Sequence, residues 1–348
     1  MPVKPAPRSL CLLRLSALGD AVHAVALVRD LQQAWPGLPI TWVIGKGEAK
    51  LLKGLEGVEF VVFDKKAGFA GWRALRQALA GRRFDVLLNL QLALRAGLAS
   101  TAIRADRRIG FDRGRSKEGH GLFINERIPA GGHHVQDAFR QFLQPLGVTP
   151  GRVEWRLPVP ADAHAWAAEK LPGEQPILLV SPCSSHPLRN WRPERYAAVA
   201  DHAASRGWRV LLCGGRSALE RDTADAILAA MKAPALDLVG QDTLKQLLAL
   251  LGRASAVLTP DSGPAHMANA MGTPVLGLHA CTDAERSGPY SDRRWTVNHY
   301  DAAARQFLGK PASALPWGKR VEFPGVMDLV QVREVIERFE ALRAERGL

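Results

Sequence analysis

The chain has 348 residues, 47% of them hydrophobic and 23% charged, an ordinary globular composition that excludes a disordered or collagen-like polypeptide. That length is too great for one simple core and predicts two domains of roughly 150–180 residues each. No apolar run reaches the roughly 18 residues that would span a bilayer. Charge is unevenly spread: residues 1–150 hold 22 Lys and Arg against 12 Asp and Glu, while the remainder holds 24 against 22. A positive field of this kind suits nucleic acid, an anionic membrane or a phosphorylated substrate, with solubility charge as the plain alternative.

At the N-terminus Lys4 and Arg8 precede Leu10-Cys11-Leu12-Leu13, in superficial likeness to a secretory leader. Arg14 and Asp20 interrupt the stretch, so it reads as a buried first strand of a protein that stays in the cytoplasm. The four cysteines, Cys11, Cys183, Cys213 and Cys281, never stand at metal-ligand spacing and read as reduced, with neither disulfides nor zinc.

Short β-rich runs then alternate with helical periodicity, the signature of parallel sheets. Strands are predicted near residues 9–15, 40–44, 59–63 and 85–90, with helices over 21–34 and 69–80. The pattern restarts with strands near 176–182, 208–213, 236–239, 254–259 and 274–278, and helices over 193–205, 218–231, 244–251 and 264–271. The join falls near Leu157-Pro158-Val159-Pro160, because proline suits linkers better than element interiors. This predicts an N-terminal domain of residues 1–160, a second of 161–326, and an amphipathic helix within 327–348 that packs back on the first domain. In open parallel sheets, ligands bind beyond the carboxyl ends of the strands.

Three stretches follow strands. In RLSALGDAVHAV, Gly19 permits a tight turn and Asp20 reads either as a helix cap or as a carboxylate base; no GxGxxG fingerprint is present. In VLTPDSGPAHMANAMG, Pro264 suits the first helical turn, and the amides near Ser262 and Gly263 suit a pyrophosphate. Asp261 would accept sugar hydroxyls, and His266 lies one turn into the helix on the face of Ser262. A capped helix explains Asp261 and Pro264 but not the whole cluster, which therefore points to function. In SPCSSHPLRNWRPERY, Arg189 and Arg192 flank Trp191; the residues alone leave open a diphosphate site or a solvated loop anchored by Trp191.

The succession RLSALGD, NLQLALRAG, RIGFDRGRSKEG, PLRNWRPERY and LTPDSGPAH resembles the lipopolysaccharide heptosyltransferases of glycosyltransferase family nine over nearly the whole chain, within that family most like the heptosyltransferase I group. The resemblance implies a GT-B fold, two Rossmann-like domains facing a central cleft. It also implies inverting transfer of L-glycero-D-manno-heptose from ADP-heptose to Kdo of lipid A. By the same resemblance Asp20 is the base, and Asp261, Ser262, Gly263, Pro264 and His266 form the donor motif. Glu220 contacts the nucleotide ribose, and Arg189 stands where the family usually has lysine.

For the anionic acceptor, the basic excess nominates Lys65 and Lys66, Arg95, and Arg113, Arg115 and Lys117. With no DxD motif, no metal or other cofactor is expected, and the enzyme is placed at the cytoplasmic face of the inner membrane. A sugar-nucleotide 2-epimerase, a family member with another sugar or acceptor, a basic nucleic-acid-binding protein and a non-catalytic regulator are the competing readings. No nucleic-acid motif supports the third, and Asp20 and Asp261 together favour catalysis over the fourth.

Overall fold

The computed structural model describes residues 6–348; Lys4, part of the leader-like N-terminus, lies outside them. The chain divides into Met1–Pro158 and Val159–Leu348, two residues before the join expected from the proline-rich stretch.

The first unit is a six-stranded sheet ordered β3-β2-β1-β4-β5-β6 with every neighbouring pair parallel. In chain order it runs β1 (Leu10–Leu13), α1 (Leu18–Ala34), β2 (Ile40–Gly45), α2 (Lys46–Leu52), β3 (Val58–Phe63), α3 (Gly68–Ala78), β4 (Phe84–Asn89), α4 (Leu94–Ser100), β5 (Ala105–Gly110), β6 (Glu126–Arg127) and α5 (Val135–Arg140). The central strands are buried on both faces, which is why their sequences read as unbroken apolar runs. Periodicity had missed β5 and β6, because their residues are largely charged. Their charges are met by tertiary partners instead: Arg107 forks onto Glu126 at 2.9 Å, and Arg108 donates to the carbonyls of Ser100, Ile103 and Phe123.

The second unit repeats the plan with the order β12-β11-β10-β7-β8-β9, again parallel throughout. Its elements are α6 (Ala161–Lys170), β7 (Ile177–Val180), α7 (Pro193–Ser205), β8 (Arg209–Leu212), α8 (Ala218–Ala230), β9 (Ala235–Asp237), α9 (Leu244–Arg253), β10 (Ala256–Pro260), α10 (Gly263–Ala270), β11 (Val275–His279), α11 (Ala284–Ser287), β12 (Val297–Asn298), α12 (Tyr300–Leu308) and α13 (Val332–Arg346). All four cysteines are buried and free. No helix among the described residues is long and apolar enough to cross a membrane.

In each sheet the first strand is central, and the chain builds outward on one side before crossing to the other. The order reverses between β1 and β4 and between β7 and β10. Such switch points leave room at the carboxyl ends for a ligand, because the loops there diverge.

The C-terminal segment departs from expectation in place and extent. Residues 326–329 form a 3-10 turn and the helix starts only at Val332. It packs within the second unit rather than on the first domain: Val335, Phe339 and Leu342 enter the core beside Trp208, whose ring meets Phe339 at 4.9 Å. Polar contacts fix it there, since Glu340 accepts from Arg206 at 2.8 Å and Arg343 at 2.6 Å and shares a hydrogen bond with His202 at 2.6 Å.

Partial burial alone would raise the Glu340 carboxyl, but His202, Arg343 and Arg206 hold it down at about 2. A depressed folded-state value means that its contribution is complete above the ordinary value of 4.5 and is lost as pH falls toward about 2. Glu340→Gln is therefore expected to lower the urea midpoint at pH 7, with the gap from wild type narrowing steadily below the ordinary carboxylate value. A gap unchanged on acidification would mean that α13 is held by its apolar face alone.

Candidate active site

In the first unit the switch point gathers the loop after β1 and the loop after β4. Leu15 N–H donates to Gln91 Oε1 at 2.7 Å, and Arg14 donates to the Leu90 carbonyl at 2.5 Å. The helix α1 begins at Leu18, so Asp20 sits inside its first turn rather than capping it from outside. Its Oδ2 takes the Ala17 N–H at 3.2 Å and is ion-paired with Arg14, whose guanidinium also lies 5.3 Å from the Phe139 ring centroid. Both contacts commit the same carboxylate oxygen.

In the second unit β10 ends at Pro260 and delivers Asp261, after which Ser262 is the N-cap of α10 and Pro264 lies in its first turn, where a missing N–H costs nothing. Ser262 does not cap the helix with its side chain, which pairs with Thr259 Oγ1 at 2.9 Å. The first-turn amides of α10 therefore have no side-chain acceptor from their own cap. Asp261 is partly buried among His266 (Nε2 to Oδ1, 3.7 Å), Ser287 (Oγ to Oδ2, 3.3 Å), Thr282 and His279. Burial alone would push its carboxyl up, but the hydrogen bond with His266, the nearby His279 and the Thr282 hydroxyl hold it well below the usual carboxylate range.

Across the switch point, the loop after β7 brings Arg189. Its guanidinium donates through Nε and Nη2 to the same Glu322 oxygen, at 3.0 and 2.7 Å. Arg320 and His186 also approach Glu322, at 3.8 and 3.9 Å. Burial works against ionisation there, but Arg189 and its neighbours hold the Glu322 carboxyl low. The strand end at β11 ties this loop in place, Cys281 Sγ donating to the Leu188 carbonyl at 2.9 Å and the Cys281 carbonyl accepting from Val321 N at 2.9 Å. Trp191 is the anchor expected of a core residue, its Nε1 on the Val330 carbonyl at 3.0 Å.

Glu220 lies in the first turn of α8, beyond the carboxyl end of β8, and both its oxygens hold the preceding loop. Oε1 accepts the Gly215 N–H and Oε2 the Ser217 hydroxyl, each at 2.6 Å. A Cβ at position 215 would come within 2.8 Å of Oε2, so a larger residue there would shift the carboxylate.

Next to it, beyond β9, stands Asp242, which reading by motif had missed. Its Oδ2 finds no hydrogen-bond partner among the described residues. Burial first, then the charge of Glu220, pushes the carboxyl up to about 7, against the opposing pull of its own backbone N–H and, more weakly, of Arg216. Only the fold brings these loops together, and Asp242, Glu322, Thr282, His279 and Ser287 carry no local signal that marks them.

The acceptor candidates fare unequally. Lys66, Arg95, Arg113 and Lys117 are exposed beyond the carboxyl ends of β3, β4 and β5. Lys65 is partly covered and lies 3.5 Å from Glu48. Arg115 must be withdrawn as an acceptor contact: it is 4% exposed, paired with Asp112, and donates to the Pro129 carbonyl at 3.0 Å and to Gln141 at 2.8 Å. It braces the loop that displays its neighbours.

Residues 72–315 match the family model for glycosyltransferase family 9 (heptosyltransferase). Over 338 residues the chain is 38% identical to the lipopolysaccharide core heptosyltransferase OpsX of Haemophilus influenzae, with 97% of each chain covered. A solved glycosyl transferase family 9 structure from Veillonella parvula superposes with a TM-score of 0.80 at 21% identity, covering 97% of this chain and 98% of that one. The E. coli heptosyltransferase WaaC solved with ADP gives 0.73 at 18%, covering 96% and 99%. The two structural likenesses show the GT-B fold. Taken with the span of the family match, the 38% identity over almost the full length shows that the chain belongs to glycosyltransferase family 9, the heptosyltransferases.

Proposed function

We propose that this glycosyltransferase moves L-glycero-D-manno-heptose from ADP-heptose to Kdo of lipid A in building the lipopolysaccharide core, with inversion at the anomeric carbon. The observation that carries this reading is the partly buried, anionic Asp261 at the switch point, beside the N-terminus of α10 and the loop bearing Arg189. The amides and the arginine suit a diphosphate, while the carboxylate suits the hydroxyls of a sugar. The name of the Haemophilus relative and the ADP in the E. coli structure point the same way.

In the proposed reaction the acceptor hydroxyl oxygen bonds to C1 as the bond from C1 to the diphosphate oxygen breaks. The hydroxyl proton passes to Asp20, and ADP leaves with the electron pair of the broken bond. Arg189 exchanges Glu322 for phosphate oxygens, so that leaving-group charge is met by a fixed cation and by the first-turn amides of α10. Any carboxylate is a weak base, which suffices if the proton departs late in an oxocarbenium-like transition state. Glu220 is the proposed ribose contact, one strand outward from the switch point. The reaction is proposed to run without a metal, at the cytoplasmic face of the inner membrane. The reading without a metal follows from the absence of a DxD motif in the sequence.

Three outcomes are expected. Radiolabelled ADP-heptose should label Kdo-lipid A in the presence of EDTA and without competition from UDP-sugars, and Asp20→Asn should lower kcat by roughly 10²–10⁴. Loss of transfer on chelation, restored by Mg²⁺ or Mn²⁺, would overturn the metal-free reading. By calorimetry Asp261→Ala should weaken ADP-heptose by about 10- to 100-fold and ADP much less, as expected for loss of charged hydrogen bonds to the sugar; equal losses would mean that Asp261 does not touch it. Finally, acceptor KM should rise with salt more than ADP affinity falls, since exposed charges are screened over about 8 Å at physiological strength. Neutralising Arg113 and Lys117 together should reproduce that rise at low salt. An unchanged KM in that variant would remove this segment from the acceptor site.

A further inference from the structure

Exposed large hydrophobic side chains in the second unit, Leu219, Phe323 and Leu348, stand on separate elements. In the first unit Val62 lies on β3, pointing to the face opposite Phe63. The other four, Phe69, Leu94, Leu98 and Leu122, do something different. They occupy the outer faces of α3, of α4 and of the 3-10 turn His120–Phe123, with exposures of 71, 47, 53 and 86%.

These elements form one surface. Helices α3 and α4 turn Leu75, Ala96 and Ala99 into a common core cluster on one face of the sheet. Trp72 of α3 donates through Nε1 to Thr101 Oγ1 beyond α4 at 2.9 Å, and Phe69 stacks on the Trp72 ring with centroids 5.6 Å apart. On the other side, α4 presses its Gly97 against the Phe123 ring, where a Cβ would come within 2.4 Å. The apolar residues are interleaved with cations. Phe69, Trp72, Arg73 and Arg76 fall at i, i+3, i+4 and i+7 on one side of α3. Leu94, Arg95 and Leu98 share the outer side of α4, and exposed Arg113 and Lys117 lie in the loop before the turn. The acids close by are already engaged: Asp64 accepts from Lys66 N and Glu118 from Leu94 N, each at 2.8 Å.

Single exposed hydrophobics need no explanation, but a contiguous set braced from beneath and rimmed by arginine and lysine marks a contact surface. Aromatic and leucine side chains that enter the acyl boundary, with long basic side chains reaching headgroups, are the pattern of an interfacial helix pair. We propose that the outer face of α3, α4 and the 120–123 turn docks onto an anionic lipid bilayer, with Phe69, Leu98 and Leu122 entering the interface and Arg73, Arg76 and Arg95 meeting lipid phosphates. Phe69 and Leu94 open helices that follow β3 and β4, and Asp20 follows β1, so this surface adjoins the sheet end that carries the proposed base. The inference rests on the reading that the acceptor is anchored in lipid, and it specifies how the enzyme reaches it.

The test uses the full chain and the variant F69S/L98S/L122S, none of whose positions belongs to the proposed donor or acceptor contacts. Flotation with phosphatidylglycerol–phosphatidylethanolamine vesicles should recover wild type at low salt, less at high salt, and little with phosphatidylcholine. The variant should bind the anionic vesicles about tenfold more weakly, keep its melting temperature, and keep its turnover on deacylated, water-soluble Kdo acceptor while losing rate on vesicle-embedded acceptor. Wild type that ignores anionic vesicles, or a variant that binds them as well as wild type, overturns the proposal. So does equal loss on both acceptors, or self-association of wild type that the substitutions abolish without any vesicle binding. Should no Kdo acceptor be used at all, the proposed function fails while flotation still decides the docking surface.

Discussion

The constraint on which this molecule depends is the position of the first strand in the middle of each parallel sheet. A chain that starts at β1 or β7 can build outward on one side only until it must cross over to the other. At that crossing two loops part at the carboxyl ends and leave polar backbone that no ladder satisfies. Asp20 is delivered at one such place, and Asp261, α10 and Arg189 at the other. The residues proposed to carry chemistry thus stand in loops and helix starts beyond rigid strand ends, where their placement is set by the apolar core behind them.

Charge at these ends is compensated before any substrate arrives. Asp20 has Arg14, Arg189 has Glu322, and Asp261 has its histidines and hydroxyls. An isolated ion at such partly buried positions would be costly, so each is held by a partner. The carboxylate of Glu322 offers Arg189 what a phosphate oxygen offers, and this keeps the guanidinium oriented. Glu220 holds Gly215 and Ser217 in the turn after β8.

Much of this was legible along the chain. The apolar strands were found within a few residues because burial on both faces demands unbroken hydrophobic runs, and the helix over Pro193–Ser205 was found at both ends because Pro193 marks its first turn. The helix beginning at Gly263 was legible for the same reason. By contrast β5, with Asp106, Arg107 and Arg108, looked like a loop, because its charges are neutralised by residues far away in sequence. Arg115 looked like a surface cation from its neighbours in RIGFDRGRSK, yet a buried pair with Asp112 turns it inward.

By itself the sequence determined what local chemistry can encode: the alternation that makes two parallel α/β units, the loop composition that places Asp20 and Asp261 after strands, and the family to which their order belongs. The tertiary structure alone decided which of those groups meet. Partners such as Glu322 for Arg189, Asp242 beside Glu220 and the second unit's core for α13 are separated by 133, 22 and roughly a hundred or more residues. No periodicity or motif spans such distances, because a contact between remote segments is fixed by how sheets and helices pack, and packing belongs to the folded chain as a whole.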